Sequence, residues 1–193
     1  MAGSITKVGQ WKLYMKLMSS ARFANKLKSE VKKATTANTL LVRTEIITRI
    51  DQGKYEPNRP ITIAMKGSSL PLVDRGDLRR SIRTRQIDWS SGFVGVLAAT
   101  KLRGKAMANI GEMLHEGFTI KITPKMRTWF KYKAKEYVFS PINPSTSALR
   151  VRGRPFIKQP FEDPKIQTDC EDNWRMAVDA AFNDLSPKYK VAP

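Results

Sequence analysis

Phe118-Thr119-Ile120-Lys121-Ile122-Thr123 alternates apolar and polar residues between Gly117 and Pro124. Successive side chains of a strand point to opposite faces, so Phe118, Ile120 and Ile122 share one face and the threonines and Lys121 the other. This is the cleanest strand signal in the chain, and Pro124 stops it. Working outward, Ala108 to His115 reads as a short helix whose end is marked by Gly117. Trp129 to Phe139 contains Tyr132, Tyr137, Val138 and Phe139 and reads as a further strand or strand pair. Ile87 to Leu97, interrupted by Ser90-Ser91-Gly92, reads as a hairpin.

The two ends are helical. From Gln10 to Ile50 apolar residues recur at three- and four-residue steps, Leu13, Leu17, Phe23, Leu27 and Val31, then Leu40, Leu41, Ile46, Ile47 and Ile50, with a weak break expected near Thr35 to Thr39. Gly53, Pro57 and Pro60 close an N-terminal helical region, residues 1–53. Thr168 to Leu185 carries a second stripe, Trp174, Val178, Ala181, Phe182 and Leu185, with Asp169, Glu171 and Asp172 in a first turn that suits the helix dipole. In Asp74-Arg75-Gly76-Asp77-Leu78, Asp74 or Asp77 can cap a short helix that turns Leu78 and Ile82 inward and Arg79, Arg80 and Arg83 outward. Proline-rich, polar segments at 54–73 and 140–152 read as extended loops. Strands and helices do not alternate regularly. The expectation is therefore a single α+β domain over 1–193, a small antiparallel sheet flanked by a long N-terminal helix and a C-terminal helix, with two extended loops.

The charge is the outlier in composition: 35 Lys and Arg against 17 Asp and Glu give +18. The excess is uneven, since residues up to Pro160 hold 31 basic and 10 acidic side chains, a balance of +21, and the remainder holds 4 basic and 7 acidic, a balance of −3. Such a body repels itself unless anionic partners neutralise it, so nucleic acid, an acidic protein surface or a membrane surface is expected nearby. The single cysteine, Cys170, excludes an internal disulfide and suits a reducing compartment. No stretch approaches the ~20 apolar residues of a membrane span, and the start lacks a signal-peptide core. A cytosolic protein with no membrane contact is expected.

Catalysis is not expected. His115 is the only histidine, which leaves no second imidazole for a zinc site and little choice for a Ser-His-Asp set. Arg103-Gly104-Lys105-Ala106 resembles the end of a phosphate-binding loop, but Ala99 stands where the first glycine belongs and Ala106 where the Ser or Thr that holds magnesium belongs. The carboxylate–lysine spacings at Glu30-Val31-Lys32 and Asp163-Pro164-Lys165 fall in a helix and at a proline, away from the strand a nuclease site needs. No cofactor or metal is expected. Trp129, Phe130, Lys131 and Tyr132 combine aromatic and basic groups suited to stacking on bases, yet no helix-turn-helix or RNA-binding signature accompanies them.

Three segments in order carry a resemblance. Leu72-Val73-Asp74-Arg75-Gly76-Asp77-Leu78-Arg79-Arg80-Ser81-Ile82 resembles an L-x-D-T-G-x-L-x-x-S-I pattern, with Arg75 where Thr is usual. Met113-Leu114-His115-Glu116-Gly117 through Thr123-Pro124-Lys125-Met126-Arg127 is similar to H-x-G-x-x-x-x-x-T-P-K-M, and Arg152-Gly153-Arg154-Pro155-Phe156-Ile157 to an R-P-F-[LI] turn before a last helix. Together they resemble the tail-completion or head–tail joining proteins of long-tailed bacteriophages, also labelled virion morphogenesis proteins. The resemblance spans residues 72–157. It implies an α+β fold, no catalytic site, and a sixfold ring in the virion neck, assembled in the host cytoplasm. The implied partners are further copies of the chain, the head connector or adaptor, and the tail terminator or the tail tube and sheath, with non-specific contact to DNA passing through the lumen. Asp74, Gly76, Leu78, Gly117, Pro124, Pro155 and Phe156 are then structural. Arg79, Arg80, Arg83, Arg152, Arg154, Asp169, Glu171 and Asp172 are the expected interface residues. Two alternatives stay open, a tail terminator that caps the tube and a basic cytosolic nucleic-acid-binding protein.

Overall fold

A computed structural model describes residues 11–73, 75–137 and 142–185. The chain is α+β, 58% helical and 15% strand. In order it forms α1 (Trp11–Met18), α2 (Ala21–Asp51), α3 (Pro60–Lys66), α4 (Asp77–Ser81), β1 (Ile82–Gln86), β2 (Gly92–Val96), β3 (Lys101–Leu102), β4 (Lys105–Ala106), α5 (Met107–Glu116), β5 (Gly117–Lys121), α6 (Pro124–Tyr137), β6 (Ala148–Arg152), α7 (Lys158–Glu162) and α8 (Pro164–Leu185). The strands make three two-stranded sheets, β1–β2, β3–β4 and β5–β6. Two compact units result, one from Met1–Leu40, Arg85–Phe93 and Pro164–Pro193, the other from Leu41–Thr84 and Val94–Asp163.

The first unit is helical. Its core joins Leu17, Phe23 and Ala181, packed by Leu27 and Phe182, while Val31, Ala34 and Ala177 form a neighbouring cluster with Leu27 and Trp174. The break in the N-terminal helices lies at Ser19-Ser20, not at Thr35 to Thr39. Ser20 makes it: its hydroxyl accepts the Phe23 N–H at 3.1 Å, the bond an N-cap residue supplies, and donates to the Leu17 carbonyl at 2.7 Å. The threonine-rich stretch stays helical because its side chains satisfy themselves on the helix. Thr35 donates to Val31 O at 2.9 Å and Thr36 to Lys32 O at 3.0 Å. Asn38, 8% exposed, donates to Cys170 O at 3.1 Å and accepts from Asn173 at 2.8 Å, so a buried amide is hydrogen-bonded on both ends. α8 begins at Pro164, whose fixed φ suits a first helical position. Asp169, Glu171 and Asp172 therefore lie beyond the first turn, which holds no acid, and lose the dipole contact expected for them.

The second unit buries Val42, Ile46, Ile50, Tyr55, Leu78, Ile82, Val94, Met107, Ala134 and Phe156. Both expected loops contain regular structure. Within 54–73, α3 starts on Pro60 and stops at Gly67, whose left-handed φ of 69° returns its N–H to Ile63 O at 2.7 Å. Within 140–152, Ala148–Arg152 is β6, paired antiparallel with β5 in the register Gly117↔Arg152, Phe118↔Val151, Thr119↔Arg150, Ile120↔Leu149 and Lys121↔Ala148. The strand expected at Trp129 to Phe139 is instead α6 through Tyr137, and Val138 and Phe139 lie outside the described residues. Its aromatics suggest a sheet, but Pro124 opens a helix, the Thr123 hydroxyl accepts the Met126 N–H at 3.3 Å, and burial recurs at Met126, Phe130 and Ala134 with helical period. The hairpin lies earlier than expected, β1 taking Ile82 to Gln86 and Ile87 joining the turn. Arg103 and Gly104, with φ of 52° and 74°, form the two-residue turn between β3 and β4, so the Arg103 to Ala106 segment is a hairpin and not a phosphate loop.

One close approach fixes the β5–β6 ribbon. A Cβ on Gly117 would stand 2.5 Å from Gly153 N and 2.6 Å from Val151 O, and a Cβ on Gly153 would strike the Glu116 carbonyl and sit 2.7 Å from His115 O. Gly117 also has φ 87° and ψ 167°, a region open to glycine alone. Gly76 differs: φ is 73° but nothing lies within 4 Å of its would-be Cβ. Urea unfolding should therefore show Gly117→Ala losing roughly 2–4 kcal/mol and Gly76→Ala only about 1 kcal/mol. Equal losses would mean that backbone strain, and not the ribbon crowding, sets both.

Candidate functional site

The ribbon is short, and its pleat sorts the side chains. Phe118, Ile120, Leu149 and Val151 are half-buried on one face, while Thr119, Lys121, Arg150 and Arg152 are exposed on the other. Because directly paired residues share a face, the register sets Thr119 beside Arg150 and carries the basic groups along one side. An open groove of about 700 Å³ runs here, lined by the backbone of Gly117 and Gly153 and by Arg59, Glu116, Arg150 and Arg152.

These charges are unequally satisfied. Arg152 pairs with Glu56 at 2.8 Å. Arg154 donates through Nε to the Glu56 carbonyl at 3.0 Å, and burial holds its guanidinium below the ordinary arginine range, against the pull of Glu56. The side chains of Arg59 and Arg150 have no hydrogen-bond or ion-pair partner among the described residues. The sequence did not single out Arg59, Arg150 or Glu56. Only the β5–β6 register, hidden while 140–152 reads as a loop, assembles them.

The other expected interface residues scatter. Arg79 is tied to Asp51 at 3.0 Å and Arg80 to Asp77 at 2.5 Å. The Arg80 hydrogen bond, with Arg103 and Arg75 nearby, holds the Asp77 carboxyl below its usual range. Arg83 is exposed on β1, and Glu171 and Asp172 are exposed on α8, Asp172 facing Arg175 at 3.3 Å; Asp169 is half-buried. Among the structural residues, Gly76 is the N-cap of α4, Leu78 is 5% exposed, Pro124 opens α6, and Phe156 is fully buried next to Pro155. Asp74 lies outside the described residues.

The three resembling segments lie within one unit, the second and third in direct contact and the first packed on the helix that leads into the second. Leu78 approaches Gly111 on α5, the helix leading into the second segment, at 3.9 Å from its would-be Cβ. Arg154 N–H donates to Leu114 O at 2.9 Å, and the His115 ring stands edge-on to Phe156 with centroids 5.5 Å apart. His115 Nδ1 is buried with no hydrogen-bond partner among the described residues. No group of three or more His, Cys, Asp or Glu able to hold a metal occurs among the described residues, and no described helix is long and apolar enough to cross a membrane. No protein-family model matches the chain, and no curated protein or solved structure matches it.

Tyr55 closes the underside of this region. It is 7% exposed, its hydroxyl donates to Phe156 O at 3.4 Å, and burial pushes its phenol up to about 12, with Arg49 opposing. The neutral phenol is thus favoured in the folded state. The stability this contributes is complete below pH ~10, the unfolded value, and is lost as pH rises toward the folded one. Ultraviolet titration should show one tyrosine ionising late, and Tyr55→Phe should flatten the fall in stability above pH ~10. An unchanged alkaline profile in the variant would assign that fall to another group.

Proposed function

We propose that this chain is a structural subunit of the bacteriophage neck that completes the tail or head–tail interface and joins the connector to the tail as part of a ring. The observation that carries the reading is the contiguity of the three segments that resemble the neck family. The second and third segments touch through Leu114, Gly117, Gly153 and Arg154, and Leu78 of the first packs near Gly111 on the helix that leads into the second. Short motifs that match by chance have no reason to pack together. The dense basic body supports it too, since a subunit between acidic neighbours and passing DNA gains from positive charge.

In this role the chain works by contact, without chemistry. Its neighbours are further copies of itself in a sixfold ring, the head connector or adaptor, and the tail terminator or the tube and sheath. It is made in the host cytoplasm and ends in the virion. Electron microscopy of particles assembled without the chain should show DNA-filled heads beside separate tails. Normally joined virions would overturn the reading, and joined particles with tails of uncontrolled length would shift the role to tail terminator.

A further inference from the structure

We propose that the groove on the β5–β6 ribbon receives the outer face of α8 from a second copy of this chain. The proposal deepens the ring reading above, on which its biological setting rests. Ile166, Ala177 and Ala181 mark the buried edge of α8. At about 100° per residue, Glu171, Asp172, Arg175, Met176 and Asp179 fall together on the opposite face, and all are exposed. Met176, 60% exposed, gives that face an apolar centre.

The two surfaces match in sign. The groove offers Arg59, Arg150 and Arg152 with one acid, Glu116, and between Glu171 and Asp179 the helix face offers Glu171, Asp172 and Asp179 with one base, Arg175. The side chains of Arg59 and Arg150 on one side, and of Glu171 and Asp179 on the other, have no partner among the described residues. Planar guanidinium groups fit carboxylates through paired hydrogen bonds. A phosphate backbone fits less well, because Glu116 in the groove and Glu56 beside Arg152 repel it, whereas Arg175 would meet an acid. The patches differ, so the contact is head-to-tail, the geometry that closes into a ring.

The test uses the full-length chain in sedimentation velocity at low ionic strength. Wild-type protein should associate reversibly, and roughly 0.5 M salt should weaken association about tenfold or more. Arg59→Glu with Arg150→Glu, and Glu171→Lys with Asp179→Lys, should each abolish it. An equimolar mixture of the two variants should associate again, because the acidic helix of the first fits the basic groove of the second and the lysine helix of the second fits the glutamate groove of the first. A chain carrying all four substitutions should associate again as wild type does. Circular dichroism melts identical to wild type certify each variant as folded.

A wild-type chain that stays monomeric overturns the proposal, as does association indifferent to either pair of substitutions or unrestored by the fourfold change. So does a groove variant that loses retention of a short DNA duplex while self-association is unchanged, which would make the groove a polyanion site. Virions joined normally by the chain carrying Glu171→Lys with Asp179→Lys remove this interface and leave the neck reading standing. That reading falls only on virions joined without any copy of the chain.

Discussion

A 31-residue helix stays folded in water only if something covers one side of it along its length, and α2 is that helix. Its inward positions run Val31, Ala34, Thr35, Asn38, Val42, Ile46 and Ile50, spaced to keep to one side of the helix. The first four belong to one compact unit and the last three to the other, so a single covalent rod supplies both cores. Where it changes from one to the other its buried residues are small or polar, and Asn38 is held by Cys170 O and Asn173 rather than by apolar contact. An amide so placed is costly to leave unpaired, so it favours one pairing of α2 with α8 over shifted ones.

The ribbon depends on a second constraint, the approach of Gly117 to Gly153 at a distance no side chain permits. With the backbones this close, the register from Gly117↔Arg152 to Lys121↔Ala148 is fixed, and alternation decides the rest. Arg150 and Arg152 must then emerge on the same side as Thr119 and Lys121. The groove's charge thus follows from two glycines and a period of two. Glu56 anchors both Arg152 and, through its carbonyl, Arg154, which leaves Arg59 and Arg150 as the cations there without a partner among the described residues.

The fold class is legible in the alternation of Phe118 to Ile122 and in the helical stripes at both ends, because burial enforces those periods directly. The misread elements share one cause: local composition is outweighed by a capping or pairing contact. Trp129, Phe130 and Tyr132 have the composition of a strand, yet Pro124 and Thr123 start a helix ahead of them. Thr35 and Thr36 weaken a helix in isolation but bond back to its carbonyls. Ala148 to Arg152 does alternate, but the prolines at 141 and 144 mask five residues whose partner strand lies some thirty positions upstream. The groove is illegible for the same reason. Its charges come from a loop, a helix end and one strand, and no spacing along the chain links them.

The uneven charge then takes on a physical role. Exposed ion pairs contribute only about 0–1 kcal/mol each, so a contact built from a few of them holds two copies weakly, and salt loosens it further. The +18 body opposes that contact between free copies, so the proposed association is weak and reversible. In the proposed ring, closure would add one contact without a further loss of translational freedom, because the copies are already held together. A mildly acidic α8 on a strongly basic chain gives the proposed contact its attraction, which a uniformly basic surface would lack.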